Sequence, residues 1–254
     1  MKLLSLLINI GLSSRCENFE KRQTSKSYWD KSNTIDLQNS LSKFSHLNMN
    51  RAKNILLFIG DGMNINTITA TRVHASRNSS NCGEEYRLAM EKLPFSGFSK
   101  TYSTNSQTPD SASTATAMLT GYKTEFMKVG TLDKTGFAKS MACGFNPFCN
   151  EPKESCINDE TVNNLLKYTR GNDFKVGIVS TDTFTGATPS SMYACSLSRW
   201  NSGLISDQFF EAVKEQKIDL CLSGGLKYVG NFEHLAEKYQ YFENAQKLSS
   251  TTWL

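Results

Sequence analysis

Apolar residues in this chain come in short unbroken runs, separated by stretches with helical spacing. Asn54 to Met63 reads NILLFIGDGM, in which Ile55, Leu56, Leu57, Phe58 and Ile59 follow one another before glycine, aspartate and glycine. Such a run, with no alternation, predicts a strand over 54–60 buried on both faces, the usual state of a parallel-sheet strand. KVGIVS at 175–180 and IDLCLSGG at 218–225 predict two further buried strands, and SGFSKTYS at 96–103 an extended segment. Helices are predicted near 66–77, from near Ser111, near 159–169 with Val162, Leu165 and Leu166 on one face, and near 206–216. Strands separated by helices predict an α/β protein: a three-layer α/β/α sandwich around a mostly parallel central sheet. There are no internal repeats and no low-complexity linker, so residues 53–254 read as one domain. Ahead of it, the polar arm 15–52 carries Ile35, Leu37, Leu41, Phe44 and Leu47 at roughly helical spacing. It reads as a helix packing on the body or on a second subunit.

The extreme N-terminus changes the picture of where the chain works. One lysine, an apolar run from Leu3 to Leu12, then Ser13 and Ser14 give residues 1–14 the character of a secretory signal peptide, too short to span a bilayer. The alternative is a buried first strand or helix. Cys143, Cys149 and Cys156, close together in a loop-like stretch, suit extracellular disulfide chemistry and lack the paired spacing of a zinc knuckle. Seven cysteines leave at least one unpaired or bonded between chains. Asn78-Ser79-Ser80 is a glycan acceptor triplet if the chain is exported. A net charge of +4 with no clustered basic face gives no indication of nucleic-acid binding, and 39% apolar with 20% charged residues is ordinary globular composition.

The chemistry is concentrated in three places. Asp61 stands at the carboxyl end of the first predicted strand, where open α/β sheets bind ligands. In TPDSASTATAMLTGYKT, residues 108–124, Ser111 opens a helix of small residues. Its hydroxyl there lies among free backbone N–H groups and at the positive end of the helix dipole, a setting that favours an anion. An ordinary helix cap would use the same residues. In VGIVSTDTFTGATPSS, Thr188 sits in a turn-like GATP after a buried strand, and Arg199 follows in YACSLSRW.

GDGM at 60–63, PDSASTATA at 109–117, TGATP at 185–189 and SLSR at 196–199 resemble, in order and spacing, the motifs of the alkaline phosphatase family. Weaker similarity runs from Tyr28-Trp29 to LSGGLKYVG at 222–230. The resemblance implies metal-dependent hydrolysis of phosphate monoesters through a phosphoserine on Ser111. It implies that Arg199 grips phosphate, that Asp110 orients Arg199, that Asp61 bridges a zinc and a magnesium, and that Thr188 binds magnesium. It further implies a secreted or cell-surface enzyme, typically a homodimer. Membrane anchoring is not readable, because a lipid-anchor signal would lie further along the sequence.

Two departures qualify the match. Family members usually carry aspartate or histidine at the position of Gly186, so weaker or altered magnesium dependence is expected. The family's remaining zinc ligands and a magnesium-binding glutamate belong to a C-terminal region that has no counterpart here, and His46, His74 and His234 match no ligand motif and suit surface or packing roles. A catalytic zinc takes three protein ligands, which Asp61 alone does not supply. The sequence therefore reads as incomplete, its intact parent being the enzyme and these residues alone inactive. The alternative is a non-catalytic secreted phosphatase-like protein lacking zinc sites.

Overall fold

The computed structural model describes residues 23–45, 50–76, 83, 85–131, 166, 169 and 174–229. The segment read as a signal peptide, the Asn78 triplet, Cys143, Cys149, Cys156, His46, His234 and most of the helix expected near 159–169 lie outside them. The chain divides into two compact units, 1–99 and 100–254. Among the described residues no helix is long and apolar enough to cross a membrane.

The first unit holds helix α1 (Lys26–Ser45), helix α2 (Ile65–Ser76) and a 3-10 turn (Ala89–Lys92). The arm is helical as expected, and Ser25 starts it by accepting from the Tyr28 amide. Among the described side chains its apolar positions form no buried stripe: Ile35, Leu37 and Leu41 are all exposed, the Phe44 side chain and Leu47 lie outside the description, Asp36 pairs with Arg87 and the Lys43 ammonium donates to the Leu93 carbonyl. Helix α2 agrees with its expected range within one residue at each end, and His74 on it is exposed, in keeping with a surface role.

The strand expected over 54–60 does not form. The run is irregular, and Leu56 and Phe58 are 82% and 89% exposed. A segment apolar on both faces becomes a strand only when neighbours satisfy its edges and layers cover its faces. Among the described residues no strand pairs with it.

The second unit contains helix α3 (Ser111–Thr120), strand β1 (Gly177–Thr183), the one-turn helix α4 (Ala187–Ser190), helix α5 (Ser202–Lys214), strand β2 (Leu220–Gly224) and a 3-10 turn (Leu226–Tyr228). Strands β1 and β2 pair in parallel, with Gly177 opposite Leu220, Val179 opposite Leu222 and Thr183 opposite Gly224, the register slipping between Val179 and Thr183. This β-α-β unit is the parallel arrangement that the alternating pattern predicts. The segment at 96–103 has no ladder, only an isolated bridge from Ser103 to Ser106.

Helix α5 buries Ile205, Phe209 and Ala212, spaced four and three apart on one face. Asn201 caps it by accepting from the Leu204 amide. These side chains join Ile178, Phe184, Ala187, Tyr193 and Ala112 in a single core, with the Phe184 and Phe209 rings 4.6 Å apart. The Tyr193 hydroxyl is buried there and donates to the Phe184 carbonyl.

That hydroxyl supplies a pH-dependent test of the core. Burial, then the neighbouring Cys221, push the Tyr193 phenol well above its ordinary value. In the unfolded chain the phenol ionises from about pH 10, whereas the folded one stays protonated. The unfolded state therefore binds fewer protons above that pH, and the contribution of Tyr193, complete below about pH 10, is lost as pH rises further. Tyr193→Phe should cost about 1–2 kcal/mol at neutral pH. Urea midpoints measured from pH 7 to 11 should fall less steeply at the alkaline end for the variant than for the wild type.

Candidate active site

Helix α3 is built to pack tightly and to start at a defined place. Ala112, Ala115, Thr116 and Leu119, spaced three, four and seven apart, are buried, and the helix packs against α4. Small residues on that face let the two backbones approach. Asp110, in extended conformation, caps the N-terminus. Its Oδ1 accepts from the Ser113 amide at 3.2 Å, the Ser113 hydroxyl at 2.8 Å and the Met127 amide at 3.1 Å. Since the Ser113 hydroxyl spends its proton on Asp110, Ser103, whose oxygen lies 2.8 Å from Ser113 Oγ, is the donor in that contact.

The second oxygen of the same carboxylate faces Arg199. Arg199 Nη1 donates to Asp110 Oδ2 at 3.1 Å and to Ser111 Oγ at 2.8 Å. The Asp110 side chain is 8% exposed and that of Arg199 21%, so the pair is largely but not fully withdrawn from water. Among the described residues Nη2 and Nε of Arg199 make no hydrogen bond, which leaves two donor nitrogens on one edge of the guanidinium for an incoming anion. Ser111, half-buried, is the first residue of the helix.

Arg199 reaches this place because its backbone is pinned. Its amide donates to the Met127 carbonyl at 2.8 Å, and Val129 and Ser196 exchange two backbone bonds of 2.9 and 2.8 Å. The serines of SLSR are structural: Ser196 Oγ donates to the Ser198 carbonyl and accepts from the Ser198 amide, and both are fully buried.

The structure thus brings Asp110, Ser111 and Arg199 into one bonded cluster. Thr188 is half-buried on α4, which opens at Gly186, so the turn expected there is one turn of helix packed on α3. Asp61 belongs to the first unit. It follows Gly60 in a tight turn closed by the Met63 amide donating to the Gly60 carbonyl at 3.2 Å. Gly62 takes φ +64°, which accounts for the glycine after the aspartate.

Gly186 marks a departure that the structure fills. A Cβ on this residue would lie 2.0 Å from Asp182 Oδ2 and 3.0 Å from the Thr183 carbonyl. The space beside Gly186 is thus filled by the carboxylate of Asp182, held there by the Thr183 amide at 2.7 Å. Gly186→Ala should cost about 1–2 kcal/mol by overpacking. Adding Asp182→Ala should return part of that loss, because the two sites share one volume. Thermal melts of the two single variants and the double variant check this.

Sequence reasoning missed Met127, Ser113 and Asp182. Ser113 was findable, since an Asp followed three residues later by a hydrogen-bonding residue is a capping pattern. Nothing in the sequence singles out an apolar residue such as Met127, or shows that Asp182 folds back on Gly186.

Comparison with known proteins places these features in context. The family model described as alkaline phosphatase matches residues 52–248. The tissue-nonspecific alkaline phosphatase of Rattus norvegicus is 35% identical over 97% of this chain and 46% of its own length. The human tissue-nonspecific enzyme is 32% identical over 95% and 45%, and an alkaline phosphatase of Gadus morhua 33% identical over 83% and 44%. The chain spans about half the length of the curated relatives it matches. A cold-active alkaline phosphatase from the psychrophile Shewanella sp. superposes with TM-score 0.57 at 21% identity, over 76% of this chain and 42% of that one, a likeness of fold.

Proposed function

The chain belongs to the alkaline phosphatase family, and on that premise we propose that it carries the nucleophile and phosphate grip of a phosphomonoester hydrolase. The observation that carries this is Arg199 Nη1 bonded at once to Asp110 and to the Ser111 hydroxyl at the start of a buried helix. Arg199 holds two non-bridging oxygens of the phosphoryl group through Nε and Nη2, a bidentate geometry suited to phosphate. The helix N-terminus adds its positive end. Ser111 Oγ attacks phosphorus in line with the ester oxygen. The P–O bond to the alcohol breaks, the alcohol leaves with a proton, and a phosphoserine remains. Water then attacks the same phosphorus, releasing inorganic phosphate and restoring the hydroxyl.

The resemblance implies zinc and magnesium, to which this chain would offer Asp61 and Thr188. Among the described residues no group of three or more His, Cys, Asp and Glu side chains could hold a metal ion. They do not make up a zinc site, so no step here passes through a metal. A second reading is a phosphatase-like protein that binds phosphate through Arg199 and the helix N-terminus without turnover. We also place the protein outside the cell or on its surface, as a homodimer, in keeping with the N-terminal segment that reads as a signal peptide.

The product of the gene that encodes this chain, assayed at alkaline pH with zinc and magnesium supplied, should release phosphate from an aryl phosphate monoester. Phosphate binding with no release would favour the second reading, and neither binding nor release would refute both.

A further inference from the structure

Met127 has φ +73°, a left-handed conformation that residues with a Cβ rarely adopt, and its side chain is buried. Such a backbone persists only where its surroundings over-determine it, and it clusters at working sites. Here the surroundings are the site itself. The Met127 amide donates to Asp110 Oδ1 at 3.1 Å, and its carbonyl accepts from the Arg199 amide at 2.8 Å. One residue therefore ties together the two members of an ion pair that stand 89 positions apart in sequence.

Its flanks are equally fixed. The Lys128 amide donates to the Glu125 carbonyl at 3.3 Å, closing a turn around Met127. The Lys128 ammonium, fully buried, pairs with Glu125 at 2.8 Å. Val129 then pairs with Ser196 on the strand-like segment that delivers Arg199. With φ near −65° instead, the amide and carbonyl of residue 127 would point elsewhere, and one of the two contacts would be lost.

We propose that Met127 is a positioning residue, whose left-handed backbone sets the distance and angle between Asp110 and Arg199 and so pre-forms the grip on phosphate. The inference rests on the phosphatase reading, and it places the role in the backbone and not in the methionine side chain. Misplacement of a binding group by about an ångström is enough to cost up to about 100-fold.

The two roles predict opposite orders of tolerance. Met127→Gly accepts the left-handed backbone and keeps both bonds, its cost falling on stability through the emptied side-chain volume, whereas Met127→Val, β-branched, resists that backbone. With the native gene product, the affinity for inorganic phosphate should change by no more than about twofold in Met127→Gly. It should weaken by about 10- to 100-fold in Met127→Val, with KM for an aryl phosphate rising in parallel. Met127→Leu, which keeps the side-chain volume, should behave as the wild type in both. Amide hydrogen exchange at residues 127 and 199 is the companion readout, slow in the wild type and Met127→Gly and fast in Met127→Val. It also reports on any variant that fails to fold. Weak phosphate binding by Met127→Gly together with normal binding by Met127→Val would overturn the proposal, as would fast exchange at residue 127 in the wild type. If the wild type shows slow exchange but binds no phosphate, the phosphatase reading fails while the clamp stands.

Discussion

Ser111→Ala is expected to lower kcat for phosphomonoester hydrolysis by about 10,000-fold or more while leaving the fold intact. The two halves of that expectation rest on different atoms. In the proposed mechanism the hydroxyl is the group that bonds to phosphorus, and alanine offers nothing in its place. The helix does not depend on it, because the cap acceptor is Asp110 and not Ser111, and alanine is at least as good a helix residue as serine. The one bond lost is that from Arg199 Nη1, which keeps Asp110 as its partner. Melting temperature should therefore move by no more than about 2 °C, close to what a surface-sized change produces. Kinetics with an aryl phosphate and a thermal melt of the same preparation check both halves. More than a tenth of the wild-type rate in a folded Ser111→Ala protein would mean that the nucleophile lies elsewhere.

Asp110→Ala is expected to be the most destabilising change at the site, by about 2–4 kcal/mol, and to abolish phosphate binding as well. About 1 kcal/mol is the loss of a helix cap. The remainder comes from stranding a largely buried guanidinium and the Met127 amide without their acceptor, discounted because Arg199 keeps some contact with water. Asp110→Asn separates the contributions. An amide oxygen at Oδ1 still accepts from the Ser113 and Met127 amides, so most of the cap survives, but the charge that holds Arg199 over Ser111 is gone. Denaturant unfolding should rank stability as wild type, then Asn, then Ala. Phosphate affinity should fall steeply in both variants. A stable Asp110→Ala protein would show that the carboxylate does not organise this site.

How much of this the sequence showed varies with the distance in sequence over which each feature is built. Local features were legible. The helix from Ser111 is announced by Pro109 and Asp110 before a run of small residues, and the β1–α5–β2 unit follows from apolar runs flanking a helical stretch. Contacts between distant segments were legible only through resemblance: nothing about SLSR taken alone makes Arg199 more than a surface arginine, yet it bonds to Ser111. The run at 54–60 shows the converse limit, since its composition states a need for neighbours on both sides and composition cannot supply them. Gly186 read as a deleted side chain because the carboxylate that takes its place arrives from Asp182, around a bend. Met127 was illegible for a related reason, since its role lies in its backbone, which any side chain could have concealed.

The proposed attack of Ser111 on phosphorus, with Arg199 holding the phosphoryl group, leaves a covalent mark on the chain. It is tested most directly by mixing the native gene product with a phosphate monoester, quenching in acid within one turnover, and mapping phosphate by peptide mass spectrometry. Phosphate is expected on Ser111 and on no other residue, and none in Ser111→Ala. Hydrolysis that proceeds with Ser111 unmodified throughout, or with the label on another side chain, would contradict it.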